Sequence, residues 1–445
     1  MKLNAKRDTS VRGMRTSLVE KAGEWLFALF LFAGYYKADP RLAFIQTHID
    51  ITVLFWVLSF CAFLYRILKK PSTSKIPERF AIVAALFLIL VVCLVGSLLY
   101  SESTQYGYDK TLRFIVLTGW AFFGAGFLIS DILSLKRFSW AIAAISVAMA
   151  IDALTGYVGV GRIGFVTAFG SNYIALARTS GLGLLATVAF LLPTERTPLM
   201  KLALWGIAAL QLWGALSAGA RGPVIALILS LVLFFALSAR GLPSIRIERY
   251  ALRLGVVMLA ALVILGIFGG ELFSTLMFRT QVLISEGGTS ALTRFGLYHE
   301  AFDLWARSPI WGNGIGGFGI AVTGQDVREY PHNIILELGA ETGLIGVLIF
   351  VTMLIVAFAK PVINLSAQRG LTTTVTRYLL VACCFALLNA MVSGDINDNR
   401  MLFTWIALVA SVSRFQKGEA VGSLNLHSIG TYQAKDLAEK LQKGG

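Results

Sequence analysis

The sequence predicts an all-α membrane protein with about 12 transmembrane helices. Of its 445 residues, 56% are apolar and only 14% are charged, whereas a soluble domain has roughly 25% charged residues. Charge-poor runs long enough to cross the hydrocarbon layer recur along the whole chain. These observations exclude a free soluble enzyme, and they also exclude disordered, fibrous and disulfide-rich proteins.

The predicted spans follow one another with mostly short loops between them. They cover residues 22–36, 51–68, 81–100, 111–130, 139–160, 171–195, 200–219, 223–240, 254–270, 334–359, 377–394 and 401–413. The four cysteines all fall in apolar segments and match neither a disulfide framework nor a zinc spacing. Because no small-residue cleavage site follows the first apolar run, we expect an uncleaved first span.

The distribution of cations predicts the orientation. With the N-terminus in the cytoplasm, 27 of the 39 Lys and Arg residues fall on inner segments and 12 on outer segments, which is the positive-inside pattern. The net charge of +14 therefore reflects cations on the cytoplasmic side of the membrane and does not indicate a nucleic-acid partner. The predicted parts are a cytoplasmic N-terminus (1–21), spans one to nine (22–270), a periplasmic catalytic loop (271–333), spans ten to twelve (334–413) and a cytoplasmic tail (414–445).

The long outer loop contains a predicted amphipathic helix over residues 292–305, which Pro309 and the glycines after it terminate. We expect this helix to lie on the membrane or over the helix bundle. The side chains predicted to form its apolar face are Phe295, Tyr298, Phe302 and Trp305.

Three residues from distant parts of the chain are predicted to share the outer face: Arg221, Arg294 and His332. Taken singly, each has an ordinary explanation, namely a lipid-headgroup contact, a solvated helix charge and a satisfied polar group. Together they suit a reaction, because two arginines grip phosphate oxygens and a histidine activates a hydroxyl group. We therefore interpret them as candidate catalytic residues for transfer from a diphosphate-bearing substrate.

Two carboxylates lie one helical turn apart at the start of the tenth predicted span. Glu337 and Glu341 are costly there, so we expect them to face a wet cavity or to bond to arginines. They would then act as structural counter-ions, or would orient His332. We count both among the predicted substrate-site residues, together with Gly222 and Asn333.

A glycine-rich run over residues 312–317 formally matches the dinucleotide pattern GxGxxG. It follows a helix and a proline rather than a strand, so a dinucleotide site is not expected. We expect these glycines to let the backbone turn tightly over the substrate cavity. The sequence contains no metal-ligand cluster, P-loop or nucleophile elbow, and no cofactor or metal is predicted.

Through these residues, the chain resembles the O-antigen ligase and O-antigen polymerase superfamily of bacterial envelope proteins. The resemblance rests on three blocks in order, and a fourth stretch, Ala168-Phe169-Gly170-Ser171-Asn172, also resembles a family element. The blocks are the small-residue turn with Arg221, the Arg294 helix running into Pro309-Ile310-Trp311-Gly312-Asn313-Gly314, and His332-Asn333 with Leu336-Glu337, Glu341 and Gly343-Leu344-Ile345-Gly346.

The resemblance implies a glycosyltransferase in the bacterial inner membrane. Its donor would be an undecaprenyl-diphosphate-linked glycan, used at the periplasmic face without a nucleotide sugar or a metal. Arg221 and Arg294 would hold the diphosphate and stabilise it as it leaves, while His332 would act as base on the acceptor hydroxyl, with inversion at the anomeric carbon. Gly222 and Asn333 would shape the site, and the amphipathic helix would cover the polyprenyl groove.

The acceptor stays open between two classes. A polymerase extends lipid-linked repeat units of O-antigen or exopolysaccharide, with a chain-length regulator as a candidate partner, and a ligase joins the glycan to lipid A core. The compact segment between Arg294 and His332 favours a polymerase slightly. A transporter or lipid-linked glycan flippase is the alternative from another class, and it would show pseudo-symmetric halves with polar residues at mid-membrane.

Overall fold

The computed structural model describes residues 18–69, 76–160, 166–239, 289–368 and 370–415, and within these ranges the protein contains helices and no strand. The long helices are α1 (Leu18–Tyr36), α2 (Ile51–Lys69), α3 (Glu78–Ser97), α4 (Tyr106–Leu128), α5 (Ile132–Val160), α6 (Tyr173–Thr194), α7 (Pro198–Ser217), α8 (Arg221–Ala239), α9 (Thr289–Arg307), α10 (Gly317–Thr323), α11 (Ile334–Ile363), α12 (Gly370–Ala390) and α13 (Arg400–Ala410). Short helical turns occur at Pro40–Leu42, Ala43–Gln46 and Asn364–Ser366.

Nine of the described helices are long and apolar enough to cross a membrane: α2 to α8, α11 and α12. They correspond to nine of the twelve predicted spans, which confirms the all-α membrane class. The first predicted span is helical, but α1 carries three charged residues near its start. The predicted span 401–413 corresponds to α13, a helix of 11 residues. The predicted span 254–270 lies outside the described residues, so the count of twelve stays a prediction.

Helix α6 is the centre of the bundle, because 94% of its apolar stretch is buried. It packs against α5, α7, α8 and α12. The helix starts where Asn172 caps it, with the side-chain oxygen accepting a hydrogen bond from the Ala175 amide at 2.8 Å. An apolar helix with this degree of burial can be enclosed on all sides by its neighbours.

The loops predicted to face outward meet one another at one end of the bundle. Arg41 pairs with Asp152 at 2.6 Å, which joins the α1–α2 loop to the end of α5. Ser103 donates a hydrogen bond to Asp326 at 2.5 Å, which joins the residues before α4 to those before α11. Because His332 also lies at this end, we name it the histidine end.

The loops predicted to face inward meet at the opposite end. Glu24 of α1 is fully buried and pairs with Arg66 at the end of α2 and Arg137 at the start of α5, at 2.5 and 2.8 Å. Lys136 lies 3.7 Å from Glu195, which follows α6. The described loop contacts thus agree with the predicted alternation of spans, while the assignment of the histidine end to the periplasm stays a prediction.

The apolar face predicted for the outer-loop helix is only partly correct. In α9 the buried residues are Ala301 and Leu304, whereas Phe295 and Phe302 are 67% and 60% exposed. Trp305 is half-buried and packs against α11, where it would contact a Cβ placed on Gly339. The helix therefore lies over the bundle through small and aliphatic residues and turns two of its aromatic side chains outward.

Helix α11 breaks at Gly343, two residues after Glu341, and residues 309–314 close the break. Gly343 has φ +65° and ψ −160°, a conformation open to glycine alone. These residues supply the hydrogen bonds that the broken helix lacks. They are Asn313 N to Ala340 O at 2.9 Å, Gly314 N to Glu341 O at 2.9 Å and Leu344 N to Pro309 O at 2.8 Å. The glycines predicted to turn over the substrate cavity thus pack on the backbone of α11.

Gly343→Ala should destabilise the protein by about 3 kcal/mol or more, because the new Cβ would meet the Ile310 carbonyl oxygen at 2.3 Å and the φ value is strained for alanine. The measurement is the thermal unfolding midpoint in detergent. Gly206→Ala in α7, where a Cβ meets nothing within 4 Å, is the matched control and should not lower the midpoint. Equal unfolding midpoints for the two variants would show that the break in α11 does not require a glycine at position 343.

Candidate active site

His332 occupies a constrained position directly before α11. Its φ is +56°, which is unusual for a residue other than glycine. The ring of Tyr330 contacts the imidazole edge-on at a centroid distance of 4.6 Å. The next residue, Asn333, caps α11 by accepting hydrogen bonds from the amides of Ile335 and Leu336 at 3.0 and 3.1 Å. The strained backbone and the cap fix where the imidazole lies.

The environment keeps the imidazole of His332 neutral. Burial lowers its pKa to about 4, and the positive charges of Arg294 and Arg178 act in the same direction, whereas Asp395 opposes them. Nδ1 is buried without a hydrogen-bond partner among the described residues. At neutral pH the ring is therefore uncharged, with one nitrogen able to take up a proton.

Arg294 and Arg221 reach the histidine end from two different helices. Arg294 is half-buried on α9, and its charge acts on His332. Arg221 is the first residue of α8 and is exposed. A Cβ placed on the next residue, Gly222, would lie 3.0 Å from the Val392 side chain. Helix α8 thus starts against the loop between α12 and α13.

That loop, residues 391–399, also contacts α9 and the segment before His332. The Tyr298 hydroxyl of α9 donates to the Met391 carbonyl at 3.5 Å. Arg328 pairs with Asp395 at 3.0 Å and with Asp398 at 2.6 Å. The helices that carry the three predicted catalytic residues are therefore all tied to the 391–399 loop, directly or through the neighbouring Arg328.

A buried lysine, Lys110, lies next to this loop, and it was not among the residues predicted from the sequence. Lys110 of α4 is fully buried, and its Nζ lies 2.6 Å from Glu337 Oε1 and 2.7 Å from Glu341 Oε2. The two glutamates therefore bond to a lysine, whereas the sequence predicted that they face a wet cavity or bond to arginines. Their carboxylates also accept backbone amides, Ile396 N on Glu337 at 3.2 Å and Gly316 N on Glu341 at 3.0 Å.

A second buried cation, Arg178, lies inside α6. Its Nη2 donates to the carbonyl oxygens of Asn389 and Ser393 at 2.9 and 2.8 Å. The signal for this residue was present in the sequence, because an arginine inside the predicted apolar span 171–195 is costly without a function or a partner. Lys110 gave a weaker signal, since it stood at a predicted span boundary, where cations are common.

The arrangement can carry out group transfer to a hydroxyl. It contains a neutral imidazole and two arginines from separate helices, and the 391–399 loop contacts both helices and the segment before His332. Arginine side chains bind phosphate oxygens through paired hydrogen bonds. Within the described residues, no group of three or more His, Cys, Asp or Glu side chains is arranged to hold a metal ion.

Comparison with known families tests the predicted resemblance. Residues 206–351 match a family model described as O-antigen ligase. The chain therefore carries a domain of the O-antigen ligase and polymerase superfamily. This confirms the resemblance predicted from the sequence. No curated protein matches the chain.

The O-antigen ligase match makes this a membrane protein of the glycosyltransferase type. All seven predicted site residues, from Arg221 to Glu341, fall inside the matched segment. Lys110, Arg178 and the 391–399 loop fall outside it. The contacts described above therefore tie the family domain to elements on both sides of it in the chain.

Lys110→Met should destabilise the protein by about 3–5 kcal/mol, because two buried carboxylates lose their cation. The unfolding midpoint in detergent measures this. A triple variant that adds Glu337→Gln and Glu341→Gln should recover much of the loss. Lys37→Met, which breaks an exposed pair with Asp50, is the control and should cost at most about 1 kcal/mol. If Lys110→Met is as stable as the control, the ion pairs of Lys110 with Glu337 and Glu341 do not stabilise the fold.

Histidine NMR should find His332 titrating near pH 4, because burial and the nearby positive charges disfavour the imidazolium. The chain has only four histidines, so selective labelling resolves them. Arg294→Gln should raise the midpoint, because it removes one of the positive charges that disfavour the imidazolium. Arg307→Gln at the end of the same helix should leave it unchanged. If the titration midpoint of His332 is the same in Arg294→Gln as in the wild-type protein, the charge of Arg294 does not act on the imidazole.

Proposed function

We propose that the protein transfers a glycan from a polyprenyl diphosphate to a hydroxyl acceptor at the periplasmic face of the bacterial inner membrane. The observation that carries the proposal is the neutral His332 held in the field of Arg294 at the end of the bundle where Arg221 also lies. The O-antigen ligase match supports the reaction type. Undecaprenyl diphosphate as the carrier rests on the resemblance alone.

In the proposed reaction, the acceptor oxygen attacks the anomeric carbon of the donor on the face opposite the diphosphate. The bond between this carbon and the diphosphate oxygen breaks, and its electron pair leaves with the diphosphate. The acceptor proton passes to Nε2 of His332, and Arg221 and Arg294 stabilise the departing anion. Displacement from the opposite face inverts the anomeric configuration.

Donor binding would also strengthen the base. An imidazole with a pKa of about 4 is a weak acceptor of a hydroxyl proton. The negative diphosphate would offset the positive field of the arginines and raise the pKa of His332. The proton transfer would then become favourable only when the donor is in place.

Between the two acceptors, we favour a polymerase that extends lipid-linked repeat units. The segment from α9 to α11 supports this choice, because it folds back directly on α11 and carries only the seven-residue helix α10. It thus forms no large additional surface for a distinct acceptor such as lipid A core. Ligation to lipid A core is the second candidate, and lipid-linked glycan transport is the third.

The proposed transfer can be tested with purified protein reconstituted with a lipid-linked oligosaccharide, with products sized by gel. A ladder from the donor alone supports a polymerase, and a single product that requires lipid A core supports a ligase. His332→Ala should lower the rate by about 100-fold or more, and Arg221→Gln and Arg294→Gln by about tenfold or more.

The matched controls are His299→Ala and Arg307→Gln, two exposed residues of α9, which should transfer at the wild-type rate. If His332→Ala transfers as well as His299→Ala, the assignment of the base is wrong. If wild-type protein with an intact donor transfers to neither acceptor, the glycosyltransferase proposal fails and transport becomes the better hypothesis.

A further inference from the structure

One half-buried arginine at the histidine end is not used by the proposed reaction. Arg400 is the first residue of α13 and directly follows the 391–399 loop. Within the described residues, no hydrogen bond or ion pair engages its three side-chain nitrogens, and none of the three is enclosed. In this respect Arg400 resembles Arg294, which the proposed function assigns to the donor. Its guanidinium group is therefore available to a ligand.

The guanidinium group of Arg400 lies against α1. Its Cζ is 5.3 Å from the ring centroid of Phe30, which is fully buried. A Cβ placed on Gly34, an exposed residue one turn further along α1, would lie 3.1 Å from Nη2. An arginine that stacks on an aromatic ring can still direct its planar fork of donors at an anion. Because Gly34 has no side chain, α1 leaves Nη2 uncovered at this point.

The carboxylates near Arg400 are bonded to other cations. Asp398 and Asp50 are acidic residues whose charges act on Arg400, and neither forms an ion pair with it. Asp398 pairs with Arg328 at 2.6 Å, and Asp50 pairs with Lys37 at 3.0 Å. A half-buried guanidinium group in a membrane protein is costly without an anion close by. An anion from outside the chain is therefore favoured at this position.

The depth of the guanidinium group suits the phosphate of a lipid. Helix α1 corresponds to the first predicted span, and Phe30 and Gly34 lie six and two residues before its end at Tyr36. The guanidinium group is therefore within about 10 Å of the end of the helix. Lipid phosphates occupy the interfacial layer at this level, and arginine side chains near helix ends reach into that layer.

We propose that Arg400 binds the phosphate group of a membrane lipid in the gap between α1 and α13. Two lipids offer this chemistry, namely the lipid-linked acceptor of a polymerase and a phospholipid of the same leaflet. Binding of the acceptor rests on the proposed function, because a polymerase must hold two lipid diphosphates at once. Arg221 and Arg294 would hold the diphosphate of the donor, and Arg400 that of the acceptor.

The position of the 391–399 loop agrees with two separate lipid sites. The loop contacts the start of α8 through Val392 and contacts α9 through the Met391 carbonyl. Its other end leads directly into Arg400. The loop would therefore lie between the donor phosphates at one end and the acceptor phosphates at the other.

The first arm of the test compares two acceptors that carry the same sugar in the reconstituted transfer reaction. One is a lipid-linked unit with CH₂ in place of the anomeric oxygen, which can accept a glycan but cannot donate one. The other is an alkyl glycoside without phosphate. Arg400→Gln should raise the KM for the phosphate-bearing acceptor by about tenfold or more, with the KM for the alkyl glycoside and for the donor within about twofold of wild type. Arg400→Lys keeps the charge and should recover part of the loss.

The second arm measures phospholipid binding by native mass spectrometry of the same proteins with added phosphatidylglycerol. Loss of one bound phosphatidylglycerol in Arg400→Gln, with an unchanged acceptor KM, would assign the site to a phospholipid. Gly34→Leu would cover Nη2 without removing the charge, so it should act in the same direction, and it provides a second variant if loss of the arginine impairs folding. The matched controls are Arg307→Gln and Gly206→Leu, at exposed positions of α9 and α7, which should change neither measurement.

The proposal is overturned if folded Arg400→Gln and Gly34→Leu bind phosphatidylglycerol like the wild-type protein and have an unchanged KM for the phosphate-bearing acceptor. An equal rise in the KM for both acceptors, without loss of phosphatidylglycerol, would also overturn it, because a phosphate contact can affect only one of the two acceptors. If the wild-type protein transfers to neither acceptor, the proposed function fails, whereas the phosphatidylglycerol measurement still decides whether Arg400 binds a lipid phosphate.

Discussion

The buried cation of Lys110 is the interaction on which the histidine end depends. A lysine enclosed in a membrane bundle is costly, and the two glutamates that meet it stand one turn apart on α11. Glu337 also binds the backbone of the 391–399 loop through Ile396, and Glu341 binds the glycine-rich run through Gly316. One cation therefore sets the relative positions of α4, α11 and both loops. Because buried ion pairs contribute little net stability against well-packed apolar residues, we attribute its value to the arrangement it specifies.

The break in α11 extends this constraint. Backbone groups at membrane depth must find partners within the protein, and an interrupted helix is tolerated only where another segment supplies them. Here the backbone of residues 309–314 provides them, with Gly314 bonded to Glu341 and Leu344 bonded to Pro309. The first turns of α11, which begin at the cap of Asn333, are thereby held by the loop and by Lys110 together. The position of His332 is therefore insulated from the long apolar remainder of the helix.

Much of this end of the molecule was predictable, because span alternation alone brings Arg221, Arg294 and His332 to one face. Nine of the spans followed from apolar run length, which the bilayer fixes. The predicted apolar face of α9 was partly wrong because it depends on tertiary contacts. A helical wheel places Phe295 and Phe302 on the core-facing side, but α9 packs through other residues and both side chains are exposed. Lys110 was inconspicuous at a span boundary, and the pairing of Arg328 with Asp395 joins residues 67 positions apart. Sequence periodicity carries no information on such pairs.

The two buried cations near the site have different consequences for the imidazole. Lys110 is paired with the two carboxylates of Glu337 and Glu341, so it adds no net positive charge to the field at His332. Arg178 is held by carbonyl oxygens, which are dipoles without net charge, so its positive field extends to His332 and adds to that of Arg294. Asp395 opposes this field, but it is shared with Arg328. The net effect is an imidazole that is neutral yet weakly basic until an anion enters. Under the proposed function, such a site would favour binding of the diphosphate donor before deprotonation of the acceptor, because the anion is what strengthens the base.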